Sequence, residues 1–255
     1  LILKVLMLTL ENVSKSFGNL CAVNRVSLTI PRGQIVGLIG PNGSGKSTLL
    51  NLIAGTLPVD TGSIHFEDHD LTRASADAVF RAGIARSYQD PTLFQRMTVL
   101  DNTLIPAKAQ RGERARLAPF HRLWRGEERS LAQTAGGILD RLLLRRLYDA
   151  RASDLSGGQM KLLEMGRSLM GDPKLMLLDE PTAGVAPNLA YSIFEQIEDL
   201  RRSHGLTFLI VEHRLEILFD FVDHLYVMHM GEVVAQGTPA EIAADAHVRE
   251  IYFGE

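Results

Sequence analysis

The 255-residue chain predicts an α/β fold, with an antiparallel β portion at its start and a helical lobe inserted in its middle. Three observations carry this. The runs "GQIVGLIG", "KLMLLDE" and "LTFLIVEH" are continuously apolar, as strands buried on both faces are. Amphipathic runs at helical spacing separate them. Strand signals then vanish between about Pro91 and Asp154, where arginine, leucine and alanine dominate.

In chain order, "LTLENVSKSFG" and "AVNRVSLTI" read as an antiparallel opening pair with Phe17 near the turn. "GQIVGLIG" is a buried strand, followed by a helix from Lys46 to about Gly55. "GSIHFEDHDL" resembles an edge hairpin and "GIARSYQ" a short strand. "QRGERARLAPFHRLWRGEERS" reads as polar and irregular, and "LAQTAGGILDRLLLRRLYDA" as helical. In "DLSGGQMKLLEMGRSLM", Leu162, Met165 and Leu169 mark one helix face, with Ser156 as N-cap. "PKLMLLDEPTAG" and "LTFLIVEH" are buried strands around the helix "NLAYSIFEQIEDLRRSHG". "HLYVMHMGEVVAQG" is a hairpin turning at Met230-Gly231, and "TPAEIAADAHVREIYFGE" ends in one or two short helices.

Composition is that of an ordinary globular protein, 45% hydrophobic and 22% charged. A net charge of −3 gives no basic footprint for nucleic acid. Cys21 is the sole cysteine, so no internal disulfide forms and a reducing compartment is the simple expectation. No apolar run approaches the roughly 18 residues of a membrane span. "LILKVLMLTL" is short, lacks a small-residue cleavage site and runs into a strand-like segment, so it reads as strand rather than signal peptide, with Met7 a candidate natural start. A soluble, cytosolic chain is expected.

"GPNGSGKST", Gly40 to Thr48, fits G-x-x-x-x-G-K-[ST] between a strand and a helix. Gly40, Asn42, Gly43, Ser44, Gly45, Lys46, Ser47 and Thr48 are therefore the candidate phosphate cradle. Gly43 and Gly45 let backbone N–H groups wrap phosphates, Lys46 reaches the β- and γ-phosphates, and Ser47 offers a hydroxyl to Mg²⁺. Asp179 ends an apolar strand and can hold Mg²⁺ through water. Glu180 follows and can accept a proton from attacking water. Away from a phosphate loop, the Asp179–Glu180 pair would read as a salt-bridged strand end. Gly157 and Gly158 are poor first-turn residues, each roughly 1 kcal/mol worse than alanine. Bare N–H groups at such a helix start form an anion site that glycines open to close approach. His65 and His69, beside Asp68 and Asp70, read as a hydrophilic hairpin turn rather than a metal site.

A P-loop, an LSGGQ helix start and an LLDEP strand end together resemble the ATP-binding cassette ATPases, from about Leu8 to Gly254. The resemblance implies a P-loop NTPase core with its antiparallel β subdomain over about 8–90 and 154–255, and a helical subdomain over about 91–170. It implies ATP and Mg²⁺ as ligands. It also implies a head-to-tail pair of cassettes, in which Ser156, Gly157, Gly158 and Gln159 of one chain meet the ATP held by the other. Phe17 matches the adenine-stacking aromatic, Gln89 the glutamine that touches Mg²⁺ and attacking water, and His213 the switch histidine that reaches the γ-phosphate. Two departures stand out. Ala186 occupies a place where many members carry aspartate, and "EHR" leaves Arg214 without an assigned role.

Partners implied by the resemblance are a second cassette, identical or paralogous, and membrane permease subunits, reached through the arm after Gln89 with apolar Leu93, Phe94, Met97 and Val99. For Val99 and Leu100, packing inside the lobe is the favoured reading. A substrate-binding protein would act indirectly. The "AGVAPN" loop and the ending "GTPAEI…HVREIYFGE" resemble importer ATPases for branched-chain or other hydrophobic amino acids. Lipopolysaccharide-exporting and urea or amide-importing ATPases share much of that ending, and a soluble iron–sulfur cluster assembly cassette has a similar size.

Overall fold

The computed structural model describes residues 5–88, 92–108, 110–113 and 116–253. Two sheets organise it. Strands β1 (Leu6–Phe17), β2 (Leu20–Pro31), β4 (Thr61–Phe66) and β5 (His69–Asp70) form an antiparallel sheet in the order β2-β1-β4-β5. The second sheet runs β10-β9-β3-β8-β7-β6, from β3 (Ile35–Ile39), β6 (Ile84–Arg86), β7 (Leu175–Asp179), β8 (Thr207–Val211), β9 (His224–His229) and β10 (Glu232–Gly237). It is parallel except for the β9–β10 hairpin. Met230 and Gly231, at φ 47° and 84°, make that hairpin's turn, where the primed turn types need positive φ.

The parallel sheet is covered on both faces, which is why β3, β7 and β8 are buried at every position. Val36, Leu38, Leu175, Leu177, Leu209 and Val211 pack with α1 (Lys46–Ile53) and the antiparallel sheet. The alternate residues Ile35, Ile39, Met176, Leu178, Phe208 and Ile210 pack with α5 (Gly157–Met170) and α6 (Pro187–His204). Period-two alternation sends successive side chains to opposite faces.

Four further helices surround this core: α2 (Ala76–Ala82), α3 (Val99–Leu104), α4 (Arg125–Arg141) and α7 (Leu215–Phe221). The sequence pattern had not marked α2 or α7; Ser75 caps α2 through the Ala78 N–H, and Gly83 ends it in the left-handed region. The chain closes with α8 (Pro239–Ala244) and α9 (Ala246–Phe253).

The α4 boundaries differ from the sequence expectation at both ends. Its first turn takes in the polar "RGEERS", because Glu127 and Glu128 complement the positive helix start. It stops at Arg141, short of "LLLRRLYDA", because Leu143 turns left-handed at φ 59° while Leu144 donates back to the Leu139 carbonyl at 2.8 Å. Among the apolar residues before α3, Phe94 and Met97 are exposed, whereas Leu93 is buried in the core, a correction to its expected place on an outward arm. Val99 is fully buried and Leu100 packs against the core. His65 and His69 lie in the expected hairpin, with Phe66 paired to His69 and Asp70 accepting from Thr72.

Candidate nucleotide site

The site starts where β3 runs out. Residues 40–45 loop back and α1 begins at Lys46, with Gly45 at φ 101° as an N-cap that has no side-chain hydrogen bond. The first N–H groups of α1 are thus left to an anion. Two of the loop glycines are held by packing. A Cβ on Gly40 would fall 2.1 Å from the Met228 carbonyl, and one on Gly45 would fall 2.2 Å from that of Ala22. Gly43 meets nothing within 4 Å and faces open space at φ 79°.

Lys46 folds over this loop. Its ammonium donates to the Gly40 and Pro41 carbonyls at 2.7 and 2.9 Å and approaches Ser44 Oγ at 3.5 Å. Burial pushes its pKa below the ordinary lysine value, while the Glu180 and Asp179 carboxylates act in the opposite direction. A cation sits in the cradle, balanced by the acids at the end of β7.

Phe17, Leu20, Cys21, Ala22, Asn42, Gly43, Gly45, Lys46, Ser47, Thr48, Glu180, His213 and Met230 line one cleft of about 500 Å³. Its lining suits a nucleotide, with apolar Phe17, Leu20 and Met230 alongside the Lys46 loop, Glu180 and His213. The β9–β10 turn ties them together. Gly231 donates to the Ser44 carbonyl at 3.1 Å, and Asn24 donates to the Gly231 carbonyl at 2.8 Å.

His213 Nε2 lies 3.1 Å from Glu180 Oε1. Glu180 holds φ 49°, and its N–H donates to the Val211 carbonyl at 2.9 Å. A non-glycine residue in this region is strained, and such strain gathers at working sites. Behind Glu180, the carboxylate of Asp179 accepts from Arg86 at 3.2 Å in a buried pair, and Arg86 also donates to Asn51 at 2.6 Å. Ser47 stands exposed at the cleft. A hydroxyl and a carboxylate are hard oxygen donors that suit Mg²⁺. Among the described residues no cluster of three or more His, Cys, Asp or Glu side chains could hold a metal alone. A Mg²⁺ at Ser47 and Asp179 would therefore complete its shell with water and phosphate oxygens. Gln89 lies outside the described residues.

The LSGGQ helix start does not line this cleft. Ser156 Oγ accepts from the Gln159 N–H at 3.4 Å, and the Gln159 side-chain oxygen accepts from the Ser156 N–H at 2.9 Å. The pair makes a capping box, so both side chains already serve the helix. The two glycines have different reasons. A Cβ on Gly158 would fall 2.1 Å from the end of the Leu189 side chain, so close packing on α6 is a second reason for glycine there, beside the expected anion role. Gly157 is exposed, and a Cβ there would meet nothing within 4 Å.

Residues 23–183 match the model of the family described as "ABC transporter", and residues 232–255 match that described as "Branched-chain amino acid ATP-binding cassette transporter". The chain belongs to the ABC transporter family. It is 44% identical over 98% of both chains to a probable branched-chain amino acid transport ATP-binding protein LivG of Methanocaldococcus jannaschii. It is 35% identical over 97% of both chains to the lipopolysaccharide export system ATP-binding protein LptB of Escherichia coli K12. A solved nucleotide-free ATP-binding cassette from an ABC transporter superposes with a TM-score of 0.85 at 42% identity, covering 98% of this chain and 100% of that one. An ABC transporter cassette in its ADP conformation gives the same score at 43% identity, with the same coverage of both chains.

The chain is thus an ATP-binding, ATP-hydrolysing subunit of an ABC transporter with a P-loop core. Four residues of the cassette's site escaped the sequence pattern. Leu20 and Met230 join Phe17 only because two turns meet in space. Arg86 reaches Asp179 from a strand with no charged motif. Glu212 is buried at 3% exposure beside the catalytic edge. Its "EH" dipeptide was the one available signal.

Cys21 is exposed and lines the cleft, so ATP is expected to protect it. Alkylation of this single thiol, followed by mass spectrometry, should slow at least about tenfold with saturating nucleotide, the labelling rate following the free fraction. An unchanged rate would place the nucleotide elsewhere.

The Glu212 carboxyl is pushed up to about 7 from 4.5, by burial first and by the Glu180 charge, against the Thr182 hydrogen bond and the Arg214 and Lys161 charges. A carboxyl with a raised folded pKa holds its proton more tightly when folded. Its contribution to stability therefore falls as pH rises from about 4.5 to about 7 and is level above that. Glu212→Gln cannot ionise, so at pH 8 it should exceed the parent in stability by up to about 3 kcal/mol. Urea melts should show that gap closing by pH 4.5.

Proposed function

We propose that this cassette powers the import of branched-chain or other hydrophobic amino acids, working as one of two cassettes against membrane permease subunits on the cytoplasmic face of the cell membrane. The observation that carries the cargo class is the match of residues 232–255 to the branched-chain amino acid family model, joined to LivG relatives at 44% and 43% identity. The lipopolysaccharide-export relatives stand lower, at 35%. A substrate-binding protein presents cargo from the far side. The exposed Phe94 and Met97 face the permease. No described helix is long and apolar enough to cross a membrane.

Each residue has a role in this reading. Phe17 stacks on the base, with Leu20 and Met230 beside it. Backbone N–H groups of residues 40–48 bind phosphate oxygens, and Lys46 leaves its loop carbonyls to do the same. Ser47, Asp179 and Gln89 would hold Mg²⁺, which would supply positive charge against the phosphates. Glu180 takes the proton of attacking water, oriented by His213 at 3.1 Å. Ser156 and Gly157 approach the nucleotide of a partner cassette, while Gly158 and Gln159 shape and cap the helix that carries them. Bound nucleotide then bridges two chains, shifting the open–closed equilibrium by its preference for the closed form.

Glu180→Gln is expected to lower turnover at least about a hundredfold while keeping ATP binding and yielding an ATP-stabilised dimer on size exclusion. Undiminished turnover would remove Glu180 as the base. Ser156→Arg should block closure and hydrolysis while equilibrium ATP binding by the P-loop stays intact. The cargo is tested by pulling down Glu180→Gln with Mg-ATP from detergent-solubilised native membranes. Two polytopic permeases whose vesicles take up leucine, isoleucine or valine are expected; only soluble partners would overturn the transporter assignment.

A further inference from the structure

Ala186 and Arg214, the two departures from the family pattern, lie beside one another in space. Arg214 Nη2 donates to the carbonyl of Val185 at 2.7 Å. Ala186 is the N-cap of α6 and has no side-chain hydrogen bond to offer.

This contact is one of three. Adjacent strands β7 and β8 end with Asp179 paired to Val211, and the chain beyond each strand runs alongside the other. Thr182, fully buried, donates its hydroxyl to Glu212 Oε1. His213 Nε2 faces Glu180 Oε1 at 3.1 Å. Arg214 takes the Val185 carbonyl. Three consecutive residues after β8 thus grip three points of the turn after β7, and the middle pair faces the nucleotide cleft.

The outer two grips are built from groups that are costly to bury. Glu212 Oε2 and Arg214 Nη1 are buried with no hydrogen-bond partner among the described residues. Each side chain makes one hydrogen bond, yet each keeps a buried polar atom without one, and such atoms call for an explanation in terms of function. We propose that Glu212 and Arg214 are positioning residues for hydrolysis: they clamp the turn 180–185 to the loop 212–214 so that Glu180 and His213 keep their geometry and move as one body with the start of α6. Arg214 supplies, through a main-chain carbonyl, the tether that the Ala186 side chain cannot.

Steady-state ATPase assays on the full chain test this. Glu212→Ala and Arg214→Ala should each lower kcat about ten- to hundredfold, the usual effect of losing a supporting partner, with KM for ATP within about twofold. Glu212→Gln keeps the oxygen that Thr182 donates to and should restore kcat to within about threefold. Arg214→Lys keeps a donor for the Val185 carbonyl and should restore part. If the alanine variants do not fold, Thr182→Val and Thr182→Ser make the same comparison, valine slow and serine near normal. Full kcat in the alanine or valine variants, Glu212→Gln as slow as Glu212→Ala, or a KM rise that parallels the kcat loss would overturn the clamp. The proposal rests on Glu180 being the base, and the two fail separately. Normal turnover in Glu180→Gln removes the base, whereas a dead Glu180→Gln beside fast clamp variants removes the clamp alone.

Discussion

Val211 pairs with Leu38 on one side and Asp179 on the other, so β3, β8 and β7 stop level at one rim of the parallel sheet. That register is what the site depends on. It delivers the Asp179–Glu180 pair and His213 to the phosphate loop, which lies more than a hundred residues before them in sequence. Ligands of open parallel sheets collect outside the carboxyl ends of the strands for this reason. A slip of one residue in β8 would turn its side chains to the opposite face and move His213 off Glu180. Burial of both sheet faces fixes the register, because Val211 belongs to one core cluster and Ile210 to the other.

In the proposed reading the rim is only half of an enzyme. It brings together the phosphate loop, Glu180 and His213, while the second glycine-led helix start lies away from the cleft. Gly157 faces open space, and no contact among the described residues accounts for its lack of a side chain. Nucleotide at the rim therefore has room to act as the joint between two molecules, which is how binding and release can be turned into movement. The left-handed backbone of Glu180 and the buried polar atoms of Glu212 and Arg214 lie at that rim.

Much of this was legible in the sequence where the controlling forces are local. Continuous apolar runs announced β3, β7 and β8, and glycines with a following lysine announced the loop and α1. Ser156 announced its helix through capping. What escaped depends on contacts between distant segments. Leu143 ends α4 in a conformation that glycine usually adopts, so no breaker marked the stop. Gly158 packs against Leu189, a contact that nothing in its own segment announces. Arg214 had no role until folding laid it on a carbonyl 29 positions away. Met230 and Leu20 join the cleft through turns whose meeting point no pattern encodes.

The most direct test of the central claim, that the rim of one chain is completed by the helix start of another, is complementation between two disabled chains. Lys46→Ala lacks a working phosphate loop and Ser156→Arg a working helix start, so each alone should be nearly inactive. Mixed, they form a dimer with one intact composite site, the loop coming from the Ser156→Arg chain and the helix start from the Lys46→Ala chain. The account predicts ATPase activity in the mixture well above the sum of the separate chains, rising with protein concentration. A mixture no more active than that sum, with the mixed dimer shown to form, would contradict it.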